Sequence, residues 1–149
     1  MANSIQYAKT ISTPSEKLDT NELGGRIRVA FAEYEASAEQ STITMFTIPN
    51  GARILSGSVS YDALGSSTTI SVGHAAYVNS EGTVVALDVD EYKAAAASTS
   101  AQSVVSADTI ALGKNSVVNA NEDGLPVTVV LAGADGTGTI QLQMFYVID

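Results

Sequence analysis

Residues 42–73, TITMFTIPNGARILSGSVSYDALGSSTTISVG, decide the fold class. Ile48-Pro49-Asn50-Gly51 makes a corner, because proline presets φ and Asn-Gly reaches positive φ cheaply. Leu64-Gly65-Ser66-Ser67 makes a second turn, ahead of a strand over Thr68–Val72. Between the two turns Arg53–Tyr61 alternates, with Leu55, Val59 and Tyr61 on one face and Ser56, Ser58 and Ser60 on the other. A period of two marks a strand with one buried side and one wet or partner-facing side.

Outward from this stretch the chain reads as more of the same. Arg26–Glu35 places Ile27, Val29 and Phe31 on one face and Arg26, Arg28, Ala30 and Ala32 on the other, and Glu35–Gln40 follows as a polar turn. Ser41–Ile48 is a strand apolar on both sides, with Ile43 and Met45 opposed to Phe46 and Ile48, which suits a central strand or one capped by another subunit. Thr83–Val89, Ser103–Val105, Thr109–Leu112 and Pro126–Ala132 are further strands. Ala134-Asp135-Gly136-Thr137-Gly138 is the sharpest hairpin signal. The closing strand, Thr139–Ile148, sets Ile140, Leu142, Met144, Tyr146 and Ile148 on one face. Residues 90–101, DEYKAAAASTSA, form the one plausible helix, since Ala and Lys propagate well and acids suit a helix start. Strands spaced by about 10 residues with Gly-rich turns give an all-β chain, an antiparallel β-sandwich of jelly-roll type with at most one short helix. The organisation is an extended N-terminal arm over 1–25 and a sandwich domain over 26–149, with Leu23-Gly24-Gly25 as the hinge.

Composition narrows the function. The 149 residues contain no Cys, no Trp and one His, so disulfides and thiolate chemistry are excluded. Net charge is −9; residues 1–28 carry four basic and three acidic side chains, whereas 29–149 carry three basic and thirteen acidic ones. So acidic a body repels phosphate backbones, and no nucleic-acid partner is expected. Met1–Ile11 lacks the apolar core of a secretory signal, and no run approaches the ~18 apolar residues of a membrane span.

Sites for chemistry are scarce. A Ser-His-Asp arrangement would depend on His74, and no Gly-x-Ser-x-Gly elbow accompanies it; a rim or interface imidazole is expected instead. Residues 119–124, NANEDG, imitate the start of a calcium loop, but Val130 stands where its closing Glu belongs. Asp88, Asp90 and Glu91 cluster three carboxylates that also suit a solvated strand end. Gly113-Lys114-Asn115 is a turn and not a phosphate loop. No catalytic residue, metal ligand or cofactor site is assigned, and an enzyme is not expected.

Four segments carry a resemblance: Gly25-Arg26-Ile27-Arg28-Val29, Ile48-Pro49-Asn50-Gly51-Ala52-Arg53-Ile54, the run Asp62–Gly73 (DALGSSTTISVG), and Gly136-Thr137-Gly138-Thr139-Ile140. Together they resemble tailed-bacteriophage capsid decoration (cement) proteins with a jelly-roll body, over about residues 25–73 and 127–148. The resemblance implies a non-enzymatic virion subunit, commonly a homotrimer, assembled in the host cytoplasm onto the capsid exterior with the major capsid protein as partner. It further implies an arm that reaches the shell. Ile5, Tyr7, Ile11, Leu18 and Leu23 would supply its apolar contacts, and Lys9, Lys17, Arg26 and Arg28 would meet acidic groups. Phe46, Phe145 and Val147 would pack between protomers. Two rivals remain: a fibre-base or receptor-binding virion module reading a glycan through loops such as Asn115–Gly124, and a calcium-dependent carbohydrate-binding module.

Overall fold

A 23-residue strand and a 24-residue strand run side by side and organise everything else. In the computed structural model, which describes residues 2–148, these are β1 (Arg26–Ile48) and β8 (Leu125–Ile148). Met1 and Asp149, the outermost residues of the expected arm and domain, lie outside the described residues. Between the long strands come β2 (Arg53–Tyr61), β3 (Thr69–His74), β4 (Tyr77–Val78), β5 (Val84–Val85), β6 (Asp88–Ala97) and β7 (Gln102–Ser106). Every pairing is antiparallel.

The first half of β8 pairs with β3 (Val127↔His74 to Ala132↔Thr69) and its second half with β2 (Ile140↔Tyr61 to Val147↔Arg53). The order is β6-β3-β8-β2-β7, and β1 follows β8 along both halves. Two half-sheets therefore fold over one core, which joins Ile54 and Val59 of β2, Ile70 and Val72 of β3, and Val129, Ile140, Leu142 and Met144 of β8. The sequence pattern of the last strand holds as far as Phe145: Ile140, Leu142 and Met144 are fully buried while Gln141, Gln143 and Phe145 alternate outward; beyond it Tyr146 and Ile148 are half-buried and Val147 is buried. Leu142→Ala should cost about 3 kcal/mol by removing buried methyl groups and leaving a cavity. Urea unfolding would read this as an earlier midpoint at an unchanged slope.

Several expectations are corrected. Residues 134–138 are no hairpin; β8 passes straight through them, bending at Gly133 (φ 87°) and Gly138 (φ 129°) with β1 alongside. The same glycines that would close a hairpin here permit a bend, because a partner strand accompanies the chain through it. The polar turn expected at Glu35–Gln40 is the matching bend of β1, where the register shifts between Ser37 and Glu39 and again before Ser41. Residues 88–97 form strand β6 and not a helix, since pairing with β3 (Thr69↔Ala97, Ile70↔Ala96, Val72↔Lys93) overrides the helix preference of four consecutive alanines. Thr109–Leu112 is not a strand; Ile110–Leu112 is a 3₁₀ turn capped by Thr109 and ended by Gly113 at φ 73°.

Bulges also explain the two misassigned faces. A register shift between Ile54 and Ser56 inverts the alternation, so Ile54 is fully buried and Leu55 only half-buried. Another between Thr44 and Phe46 puts Ile43 and Ile48 into the same core although their spacing is odd. The strand with two apolar faces is thus one face carried across a bulge.

Candidate docking surface

The N-terminal segment is only partly extended. Ile5–Ile11 winds into the short helix α1, whose first turn is capped by Ser4 Oγ accepting from the Tyr7 N–H at 3.1 Å. Nothing in α1 is buried. One carboxylate holds it: Glu22 accepts from Gln6 Nε2 at 3.0 Å and pairs with Lys9 Nζ at 3.3 Å. Glu22 also accepts from the Asp19 N–H at 3.2 Å, which closes the turn it stands on. Asn21 beside it donates to the Gly51 carbonyl, and its own carbonyl accepts from Arg53 Nε, each at 3.0 Å. Gly25 then passes so close to Thr20 and Val147 that a Cβ there would overlap both. A helix with no buried face is thereby clasped to the β1–β2 corner.

At 3.6 residues per turn Gln6 and Lys9 share one side of α1, and Tyr7 and Ile11 share the other. Tyr7 and Ile11 are accordingly 55 % and 54 % exposed. Ile5 and Leu23 are more exposed still, and Lys17, Arg26 and Arg28 are open as well. Lys9 is occupied by Glu22, and Leu18 is half-buried.

The hydrogen bond from Gln6, then that from the Asp19 backbone and the contact with Lys9 hold the Glu22 carboxyl below its ordinary 4.5. A carboxylate lowered in the folded state adds stability that is complete above its unfolded value and is lost as the pH falls through the folded one. Acidification below 4.5 should therefore loosen α1 before the sheet. Glu22→Ala at neutral pH should do the same: amide exchange over residues 5–11 quickens by roughly threefold to tenfold, with the β8 amides unchanged.

A second open surface lies on β1. Ile27, Val29 and Phe31 point away from the core at 69, 55 and 58 % exposure, and Val29 stands opposite the exposed Phe145 of β8. The small Ala30 and Ala32 take the core side, opposite Met144 and Leu142. Alternation alone predicted the two faces; which one turns inward was set by the pairing with β8. Of the residues expected between protomers, Phe145 is open, Phe46 packs half-buried against the chain's own core, and Val147 is 8 % exposed under residues 20–25.

His74 sits in the interior and not at a rim. It is 8 % exposed, with Nδ1 2.9 Å from the Ala75 carbonyl and its ring edge-on to Tyr77 at 5.2 Å. Burial, and then the Asp88 charge, raises the nearby Glu91 carboxyl. In the loop imitating a calcium site, Asn119 Oδ1 accepts from the Ser80 hydroxyl, and Asn121 and Asp123 bond each other. Among the described residues no three acidic, His or Cys side chains gather as a metal site, and no helix is long and apolar enough to cross a membrane.

The fold has solved counterparts. A chain in the capsid asymmetric unit of cyanophage Pam1 aligns with a TM-score of 0.59 at 16 % identity, over 85 % of this chain and 88 % of that one. A chain in the capsid of Ralstonia phage GP4 aligns at 0.60 and 19 %, over 84 % and 86 %. One in the acid-stable capsid of the Helicobacter pylori bacteriophage KHP30 aligns at 0.52 and 14 %, over 82 % and 87 %. At these identities the likeness is one of fold. The sequence matches no protein-family model and no curated protein sequence.

Proposed function

We propose that this chain is a structural, non-enzymatic subunit of a tailed-bacteriophage virion, a decoration (cement) protein on the outside of the head that bridges subunits of the major capsid protein. The observation that carries this reading is the shared fold with chains from three phage capsids, which extends over more than four-fifths of each chain compared. The open surfaces agree with it. The N-terminal segment exposes Ile5, Tyr7, Ile11, Leu23 and Lys17, and Arg26 and Arg28 are open where β1 begins, so apolar and basic side chains stand free at this end of a molecule of net charge −9. That segment docks on the shell. The Ile27–Val29–Phe145 strip faces a neighbouring protomer, in a homotrimer seated at a capsid three-fold position.

The stabilising effect follows from mass action. A ligand that binds the assembled lattice but not its free subunits shifts assembly by RT ln(1 + [L]/Kd). Several docking segments on one oligomer raise the effective affinity well beyond that of a single segment. The test is to mix the purified protein with heads of the same virus assembled without it. Saturable co-sedimentation and a higher temperature of head disruption are expected. Absence of binding at micromolar concentration removes the reading.

A further inference from the structure

The outer face of the β1-β8-β2-β7 half-sheet carries a polar groove that the docking account leaves unused. Its larger part is a depression of about 660 Å³ between Glu33 of β1, Gln141 of β8, Ser60 of β2 and Ser103 of β7, with Asp62 at its end. A smaller hollow shares Ser60, Ser103 and Gln141 with it and adds Phe31, a residue 58 % exposed.

The lining is fixed in place by its own hydrogen bonds. Gln141 Nε2 donates to Glu33 Oε2 at 2.6 Å, the Thr139 N–H donates to Asp62 Oδ2 at 3.1 Å, and the Ser60 and Ser103 hydroxyls bond at 2.8 Å. Each planar group is thus anchored by one atom, while Gln141 Oε1, Glu33 Oε1 and Asp62 Oδ1 take no hydrogen bond within the described residues. Side chains held on rigid strands with their second atom unspent lose little freedom on binding.

We infer that this groove binds a neutral glycan, with Phe31 as the platform for one sugar face and Glu33, Gln141 and Asp62 as partners for its hydroxyls. Sugar hydroxyls both donate and accept, which matches a lining of carboxylates, amides and hydroxyls. The exposed ring meets the apolar C–H face of a pyranose. An extended peptide fits less well, because β8 and β2, which floor the groove, lie inside the sheet with their backbone groups spent in the ladder. Glu33 and Asp62 in the groove repel anionic sugars, which restricts the class to neutral ones. The site is separate from the N-terminal segment, so it stands or falls independently of head binding.

The test is a titration of the ¹⁵N-labelled full chain with methyl glycosides of glucose, galactose and mannose, with N-acetylglucosamine, and with sialyllactose as the anionic control. Amide shifts are expected at Phe31, Glu33, Ser60, Ser103 and Gln141 with at least one neutral sugar, and none in the groove with sialyllactose. Phe31→Ala and Gln141→Ala should each weaken the response by about fivefold or more, with the unfolding temperature lowered by no more than about 4 °C because both side chains lie on the outer face. No shift with any neutral sugar at about 50 mM, where even a Kd above 10 mM registers, overturns the inference. Shifts elsewhere, a groove response to a Ser/Thr-rich peptide in place of sugars, or equal binding by both variants overturn it too.

Discussion

Gly73→Ala should destabilise the protein by about 3 kcal/mol or more, a large part of the 5–15 kcal/mol that holds a typical domain. Gly73 lies in β3 where the register against β6 shifts between Val72 and His74. A Cβ at this position would stand 2.5 Å from the Val89 carbonyl carbon and 2.8 Å from the Asp90 nitrogen, and closer still to the Asp88 oxygen. All three are backbone atoms, so relief requires moving β6 away from β3 and losing the ladder that turns residues 88–97 from a helix-prone run into a strand. Gly82→Ala is the control. Its Cβ would meet nothing within 4 Å, and only its φ of +84° is strained, for about 1 kcal/mol. Urea unfolding should separate the two, the midpoint of Gly73→Ala falling by about 1 M or more. Identical midpoints for the two variants would show that β6 does not approach β3 as described.

The second large effect concerns docking. Replacing both Tyr7 and Ile11 by Ser removes the apolar side of α1 opposite its clasp to Glu22. Both residues are more than half exposed, so the unfolding midpoint should not move. If the two side chains bury on the shell, each contributes on the order of 1.5–3 kcal/mol, and head binding should weaken at least a hundredfold. An oligomer docked by several segments would magnify the loss. This pair is a cleaner probe than deletion of residues 1–24, which would also remove the Asn21 bonds to Gly51 and Arg53 and uncover Val147. Unchanged affinity in the double variant would move the contact away from α1.

Alternation and turn chemistry made the class of fold legible: the Pro49-Asn50-Gly51 corner, the one-sided Ile140–Leu142–Met144 row and the antiparallel all-β character all hold. What escaped was whatever a partner strand decides. Ala94–Ala97 reads as helix locally and becomes strand through β3; Gly133–Gly138 reads as a reversal and becomes a bend through β1. Bulges at Leu55 and Met45 carry no composition signal, yet each moves the following side chains to the other face. At the docking surface the exposed arm residues Ile5, Tyr7, Ile11 and Leu23 were legible as unpatterned apolar positions in a polar leader. The roles of Glu22 as clasp and of Ile27, Val29 and Phe31 as an outward strip were not. The first depends on a contact 13 to 16 residues away, the second on which face of β1 the pairing with β8 turns to the core.

The most direct test of the central claim is a cryo-electron microscopic reconstruction of the intact particle. The account predicts density for this fold on the outer surface of the head, repeated at lattice positions, with residues 2–25 against the shell and the Ile27–Val29–Phe145 strip next to a neighbouring protomer. Density for the chain confined to the tail or fibres, or a decorated head whose shell contacts come from the β4–β5 end with residues 2–25 facing solvent, would contradict it.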